Sequence, residues 1–169
     1  MWLLVGAITI LFAAFTSTYL VRRSAADWRV GPLPPALWIN TAVLLASSAV
    51  IEWARSQGRR DRLDALRRGL GVTTVLGGAF LVGQIAAWRQ LVDAGVYLAT
   101  SPHGSFFYLL TGMHGLHVAG GVGALAYALW KVRRLSGAGE VLGIVNPTAV
   151  YWHFVDGLWL YVFVILFWL

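Results

Sequence analysis

The chain has 169 residues, of which 59% are hydrophobic and 12% charged, about half the charged share of an ordinary soluble domain. It contains no cysteine, which excludes disulfides, thiolate metal centres and cysteine nucleophiles. The net charge of +6 sits in connectors between apolar runs rather than on a basic surface with interleaved aromatics, so a membrane is the expected partner and nucleic acid is not.

The length accommodates about five spanning helices of roughly 20 residues each, with no room for a large soluble domain. The expected fold class is therefore all-α, a single polytopic transmembrane bundle over residues 1–169. An uncharged apolar run covers 2–21 and is closed by Arg22 and Arg23. A cleaved signal peptide carries its basic residues before a shorter apolar core. Here they follow a full-length one, so an uncleaved first helix is expected. Pro32, Pro34 and Pro35 end one helix and start the next, because proline fixes φ and removes a backbone donor. The second helix is expected over 36–54, followed by a polar, basic loop at 55–68. The third helix takes 69–91, and a short connector carries Asp93, Pro102 and His103. The fourth takes 105–130 and is closed by Lys131, Arg133 and Arg134. A glycine-containing linker reaches Asn146-Pro147, and the fifth helix covers 148–169.

Lysine and arginine counts set the expected orientation. The loop between the second and third helices holds Arg55, Arg59, Arg60, Arg62, Arg67 and Arg68, and the loop between the fourth and fifth holds Lys131, Arg133 and Arg134. Alternation places both loops on one side, the cytoplasmic one, with the N-terminus inside and the C-terminus outside. Arg22, Arg23 and Arg29 count against this. Helix packing is expected where small residues recur every four positions: Ala79, Gly83 and Ala87 on the third helix, and Gly115, Ala119 and Gly123 on the fourth. Trp2, Trp88, Trp130, Trp159 and Trp168 mostly fall near helix ends, as interfacial anchors do.

Ionisable groups inside apolar runs are costly in lipid unless partnered. His114 and His117 lie three residues apart, on one helix face, and His153 and Asp156 repeat that spacing on the fifth helix. Three chemical roles suit them: hydrogen bonding between helices, haem or metal ligation, and proton relay. A bis-histidine haem needs one histidine from each of two facing helices, and only the fourth and fifth helices offer any. Four metal ligands would have to converge on a gap set by close packing. Structural hydrogen bonding is the preferred role. Gln84 is expected to bond a neighbouring helix, and Glu52 to pair with Arg55 one turn away near the interface. No phosphate-binding loop, dinucleotide fingerprint, HExxH or nucleophile elbow is present.

Two stretches carry a family resemblance. F-F-Y-L-L-T-G-M-H-G-L-H-V-A-G-G at 106–121 and Y-W-H-F-V-D-G-L-W-L at 151–160 resemble subunit III of the haem-copper oxidases. N-T-A-V-L-L-A-S-S at 40–48 and L-V-G-Q-I-A-A-W-R-Q-L at 81–91 are weaker matches to the same family, and the first helix, with Leu11-Phe12 and Tyr19, fits its short, five-helix bacterial form. The resemblance implies a non-catalytic accessory subunit of a cytochrome c oxidase type terminal oxidase in a bacterial inner membrane. That subunit packs against subunit I, supports proton uptake and holds lipids between its helices. Haem and copper are then expected in partner subunits and no cofactor or metal in this chain. His114, His117, His153 and Asp156 become structural or lipid-cleft residues, and Arg55, Arg59, Arg60 and Arg62 are expected to meet lipid head groups. Ile8 and Ala87 stand where the family often carries buried glutamates, so roles of those carboxylates do not transfer. Accessory subunits of nitric oxide reductases and quinol oxidases share nearly the same motifs. A single-haem b-type cytochrome and a small transporter are the alternatives from other classes.

Overall fold

A computed structural model describes residues 2–26, 28, 33–98 and 101–168. These residues form five α-helices and, among themselves, no strand: α1 Trp2–Arg23, α2 Ala36–Gly58, α3 Leu63–Asp93, α4 Pro102–Val132 and α5 Ala138–Trp168. All five are long and apolar enough to cross a membrane. Arg29, Pro32 and Leu169, which entered the expectations above, lie outside the described residues.

Local chemistry accounts for the helix ends. Ser101 caps α4 by accepting the Gly104 amide at 3.1 Å, and Pro102 is the first residue of α4, where its missing donor costs nothing. α3 closes with the Val96 amide on the Leu91 carbonyl and the Gly95 amide on the Val92 carbonyl, each at 2.9 Å. Gly95 takes the left-handed φ of 77° that this double bond requires. Asp61, at φ 60°, turns the chain between α2 and α3, a conformation its short polar side chain tolerates.

α3 and α5 start earlier than the sequence suggests. Leu63 and Leu66, within the basic stretch, continue the apolar stripe of Leu70, and Leu66 and Leu70 are fully buried. Asp64 pairs with Arg67 at 2.9 Å, so the basic loop shrinks to residues 59–62 and α3 gains two turns. α5 runs straight through Pro147. That proline removes one amide and so one helical bond, a loss that surrounding helices and hydroxyl groups tolerate in membrane helices. The Thr148 hydroxyl donates to the Ile144 carbonyl at 3.0 Å beside it. Val141 and Val145, upstream of the proline, are fully buried, which is why the helix persists there.

α2, α3, α4 and α5 pack in a ring, each against the next and α5 back against α2, while α1 lies against α4 and α5. One contiguous core joins all five. Arg67 ties the ring at one end by donating to the carbonyls of Val132 and Leu135, the latter at 2.8 Å, so the end of α4 is satisfied by α3.

The expected packing stripe is used in part on α3 and lies on another face on α4. On α3, Ala79 is exposed, Ala87 is buried, and Gly83 is the position where a Cβ would collide with Asn40 of α2. Asn40 donates to the Phe80 carbonyl at 3.1 Å across that contact. On α4 the expected stripe is not the seam within this chain. Gly115 and Gly123 meet nothing, and Ala119 is exposed. The inward face runs through Leu110, His114, Val118, Gly121, Leu125 and Ala128, and a Cβ on Gly121 would meet Trp152 at 3.0 Å. Adjacent residues on a helix differ by about 100°, so a one-residue offset turns a stripe away from its neighbour. Gly83→Val should lower stability by about 1–3 kcal/mol through overpacking, and Gly123→Val by less than about 0.5 kcal/mol. Unfolding midpoints of the two variants in mixed micelles check the contrast.

Candidate functional site

α2 and α5 run antiparallel, and polar side chains bridge them along most of their shared length. Trp159 donates to the Thr41 hydroxyl at 2.9 Å, and Trp152 to the Ser47 hydroxyl at 3.0 Å. Ser48 donates to Asp156 Oδ2 and lies 2.9 Å from His153 Nδ1. His153 Nε2 lies 3.5 Å from Glu52 Oε2. Arg55 donates from Nη1 to Glu52 at 2.6 Å and from Nε to Asn146 Oδ1 at 3.1 Å. The positions descend on α2 as they rise on α5, the signature of one antiparallel register.

Exposure grades along this ladder. Glu52 and His153 have side chains 47% and 37% exposed, whereas Asp156 is 4% exposed and its Oδ1 has no hydrogen-bond partner among the described residues. A hydroxyl has a single proton, so with Ser48 donating to Asp156 it must accept from His153. The proton of the neutral imidazole is then on Nδ1. His153 also lines a cleft of about 430 Å³ between α1 and α5, walled by Thr9, Phe12, Phe154, Leu158 and Tyr161. The Tyr161 hydroxyl donates to Thr16 of α1 at 2.8 Å, joining α1 to α5 beside that cleft.

The two α4 histidines do not join this site. His114 is fully buried, with its ring centroid 4.9 Å from Trp159 and 5.7 Å from Phe80. Neither of its nitrogens has a partner among the described residues. His117 bonds its own helix, Nδ1 to the Met113 carbonyl at 2.7 Å, and packs edge-on to Phe12 of α1. Gln84 is buried, and neither amide atom bonds a neighbouring helix as expected. Trp159 is a core residue rather than an interfacial anchor, and Trp88 turns inward to donate to Thr111 at 3.0 Å. Trp2, Trp130 and Trp168 are exposed. Among the described residues no cluster of three or more His, Cys, Asp or Glu offers a metal site.

The arginines divide. Arg55 is consumed by Glu52 and Asn146, and Arg59 stands 3.8 Å from Glu52. Arg60 and Arg62 are exposed. Arg62 lines a groove of about 1090 Å³ with Trp53, Gln57, Arg67 and Arg68. Sequence reasoning passed over Ser48, Thr41, Ser47 and Asn146 and set Glu52 aside as an ion pair. A signal existed: the polar residues 41, 48, 52 and 55 of α2 fall on one helical face, and 146, 153 and 156 of α5 make a matching stripe.

The family described as cytochrome c oxidase subunit III matches residues 28–169. The chain belongs to the cytochrome c oxidase subunit III family. Similar relatives carry that name: one from Nocardia farcinica is 35% identical over 159 residues, 90% of this chain and 77% of the relative. One from Bacillus sp. PS3 is 30% identical over 178 residues, 98% and 82%. One from Mycobacterium tuberculosis is 33% identical over 163 residues, 92% and 79%. In this subunit III chain, Ile8 and Ala87 are both buried, so apolar packing occupies the positions expected to carry glutamates. Its acids inside apolar runs include Glu52, near the end of α2, and Asp156, whereas Asp61, Asp64, Asp93 and Glu140 lie at helix ends or in connectors.

Two outcomes follow. Thr41→Val and Trp159→Phe should be non-additive, with a coupling of about 0.6 kcal/mol, measured by a double-mutant cycle on unfolding. His114→Phe should leave stability unchanged or raised, since it replaces unpartnered buried nitrogens with carbon; the same unfolding assay reads it.

Proposed function

We propose that this multi-pass membrane protein is the non-catalytic accessory subunit of a cytochrome c oxidase type terminal oxidase in a bacterial inner membrane, seated against the haem-bearing subunit I. The chain belongs to subunit III and so to a complex with other oxidase subunits. The observation that carries the accessory role is the use to which its histidines are put. A bis-histidine haem held by this chain needs His114 or His117 of α4 and His153 of α5 to face a common gap. His114 instead lies against Trp159 and Phe80, His117 bonds the Met113 carbonyl of its own helix and faces Phe12 of α1, and His153 is bonded to Ser48 of α2. The residues do not fit a haem site. In this reading haem and copper reside in the partner subunits, and the chain supplies support and proton access to them.

The N-terminus lies in the cytoplasm and the C-terminus outside, because the arginine-rich ends of α2 and α3 gather with the lysine and arginines after α4. The cleft between α1 and α5 suits a lipid acyl chain: its walls are apolar except for Thr9, His153 and Tyr161. Exposed Arg60 and Arg62 suit anionic head groups at about 1 kcal/mol each, whereas Arg55 is already paired.

Purification of the tagged chain in mild detergent tests this. It should bring down a haem- and copper-containing subunit that reduces oxygen with cytochrome c, and the chain freed from it should show no Soret absorbance. A Soret band on the freed chain overturns the reading. Arg60→Gln with Arg62→Gln should reduce co-purified anionic phospholipid while assembly persists, read by lipid mass spectrometry.

A further inference from the structure

The α2–α5 seam holds more order than two helices need to stay together. Its middle is a continuous line of four protonatable or hydroxyl side chains that starts at a half-exposed carboxylate and ends at a buried one. From outside inward these are Glu52, His153, Ser48 and Asp156. The contacts are 3.5 Å from Glu52 Oε2 to His153 Nε2, 2.9 Å from His153 Nδ1 to Ser48 Oγ, and a direct bond from Ser48 Oγ to Asp156 Oδ2. The imidazole uses its two nitrogens on opposite sides, one toward each carboxyl. We propose that this line is a proton-storage site, in which Asp156 takes up and returns a proton through Ser48, His153 and Glu52.

The step balances without any other reactant. Before uptake, Ser48 donates to the Asp156 carboxylate and accepts from His153 Nδ1–H. A proton that reaches Glu52 from water passes to His153 Nε2. The Nδ1 proton moves to Ser48 Oγ, and the Ser48 hydroxyl proton moves to Asp156 Oδ2. After uptake Asp156 is a neutral acid donating to Ser48, Ser48 donates to His153 Nδ1, and His153 carries its proton on Nε2. Glu52 is again an anion, with Arg55 and Arg59 beside it. Release is the same sequence reversed. After uptake the line holds one more proton, the Ser48 bonds to Asp156 and His153 are reversed in direction, and His153 Nε2–H faces the Glu52 carboxylate.

Three features single this line out from a structural ladder. Asp156 is in no ion pair among the described residues and keeps Oδ1 unpartnered in the interior, where a permanent carboxylate is expensive. The Thr41–Trp159 and Ser47–Trp152 bonds beside it already fix the register. The line is open at its Glu52 and His153 end, on the arginine-bearing side of α2, and buried at Asp156. The groups facing it are Glu52, Arg55 and Arg59 from α2, and Asn146, His153 and Tyr161 from α5. From α1 they are Thr9, Phe12 and Ala13, none of which titrates. On α4, His114 and His117 are engaged with Trp159 and Met113. The inference stands on α2 and α5 and holds whichever partner the chain assembles with.

The test is infrared spectroscopy of the assembled complex in nanodiscs, following the carbonyl stretch of a protonated carboxyl as water is exchanged for heavy water. The parent complex should show one such band that disappears in Asp156→Asn and moves in Asp156→Glu. The second variant assigns the band if the first does not assemble. Exchange of that band should slow about a hundredfold in Ser48→Ala and in His153→Phe, recover in Ser48→Thr, and stay at the parent rate in His117→Phe. Absence of an Asp156-dependent band overturns the proposal. So does an exchange rate in Ser48→Ala and His153→Phe equal to that of the parent, which would leave the line a structural ladder.

Discussion

Lipid gives helices no hydrophobic reason to associate, since acyl chains are as apolar as leucine. What it imposes instead is that polar groups within the span find partners in protein. α2 and α5 meet that demand against each other. Thr41, Ser47, Ser48, Glu52 and Arg55 on one helix reach Trp159, Trp152, Asp156, His153 and Asn146 on the other. Individually such bonds contribute about 0.6 kcal/mol. Collectively they fix a register, because sliding one helix by a turn, about 5.4 Å, breaks all of them at once.

The rest of the bundle is arranged around that register. Trp152 is held by Ser47, and its ring fills the space left by Gly121 of α4 and Gly77 of α3. Trp159 is held by Thr41, and its ring receives His114 and Phe80. The two tryptophans thus convert a polar seam on one side of α5 into packing contacts on the other. α1 adds a looser layer against α4 and α5 and leaves a cleft beside His153. The close packing lies in the four-helix ring, and the open cleft lies at its edge.

Within the same family signature, the two histidine motifs serve different ends. In 151–160 the i,i+3 pair His153 and Asp156 meets one hydroxyl, Ser48, across the helix gap. In 106–121 the i,i+3 pair His114 and His117 separates: one ring is stacked in the core, and the other turns back on its own helix toward α1. Equal spacing does not bring equal surroundings. A helix places residues on a face, but the neighbour opposite that face decides what they do.

Composition and hydropathy by themselves determined the class: a low charged share, uninterrupted apolar runs and arginine clusters lead to five spanning helices, since the cost of charge in lipid acts on each segment separately. The i,i+3 pairing of Glu52 with Arg55 was equally legible, being local. Helix starts were not, because the leucines at 63 and 66 hide within a basic stretch and Pro147 resembles a boundary until the packing around Val141 and Val145 is seen. The small-residue stripes were legible as patterns but not as faces. Ala79, Gly115, Ala119 and Gly123 point away from the bundle, while Gly83 and Gly121 point into it. Only the tertiary structure decided that Ser48 stands between His153 and Asp156 and that His114 stands apart. Those neighbours lie about a hundred residues away in the chain, and they are set by the antiparallel register of α2 and α5, a property of two helices together that neither segment carries alone.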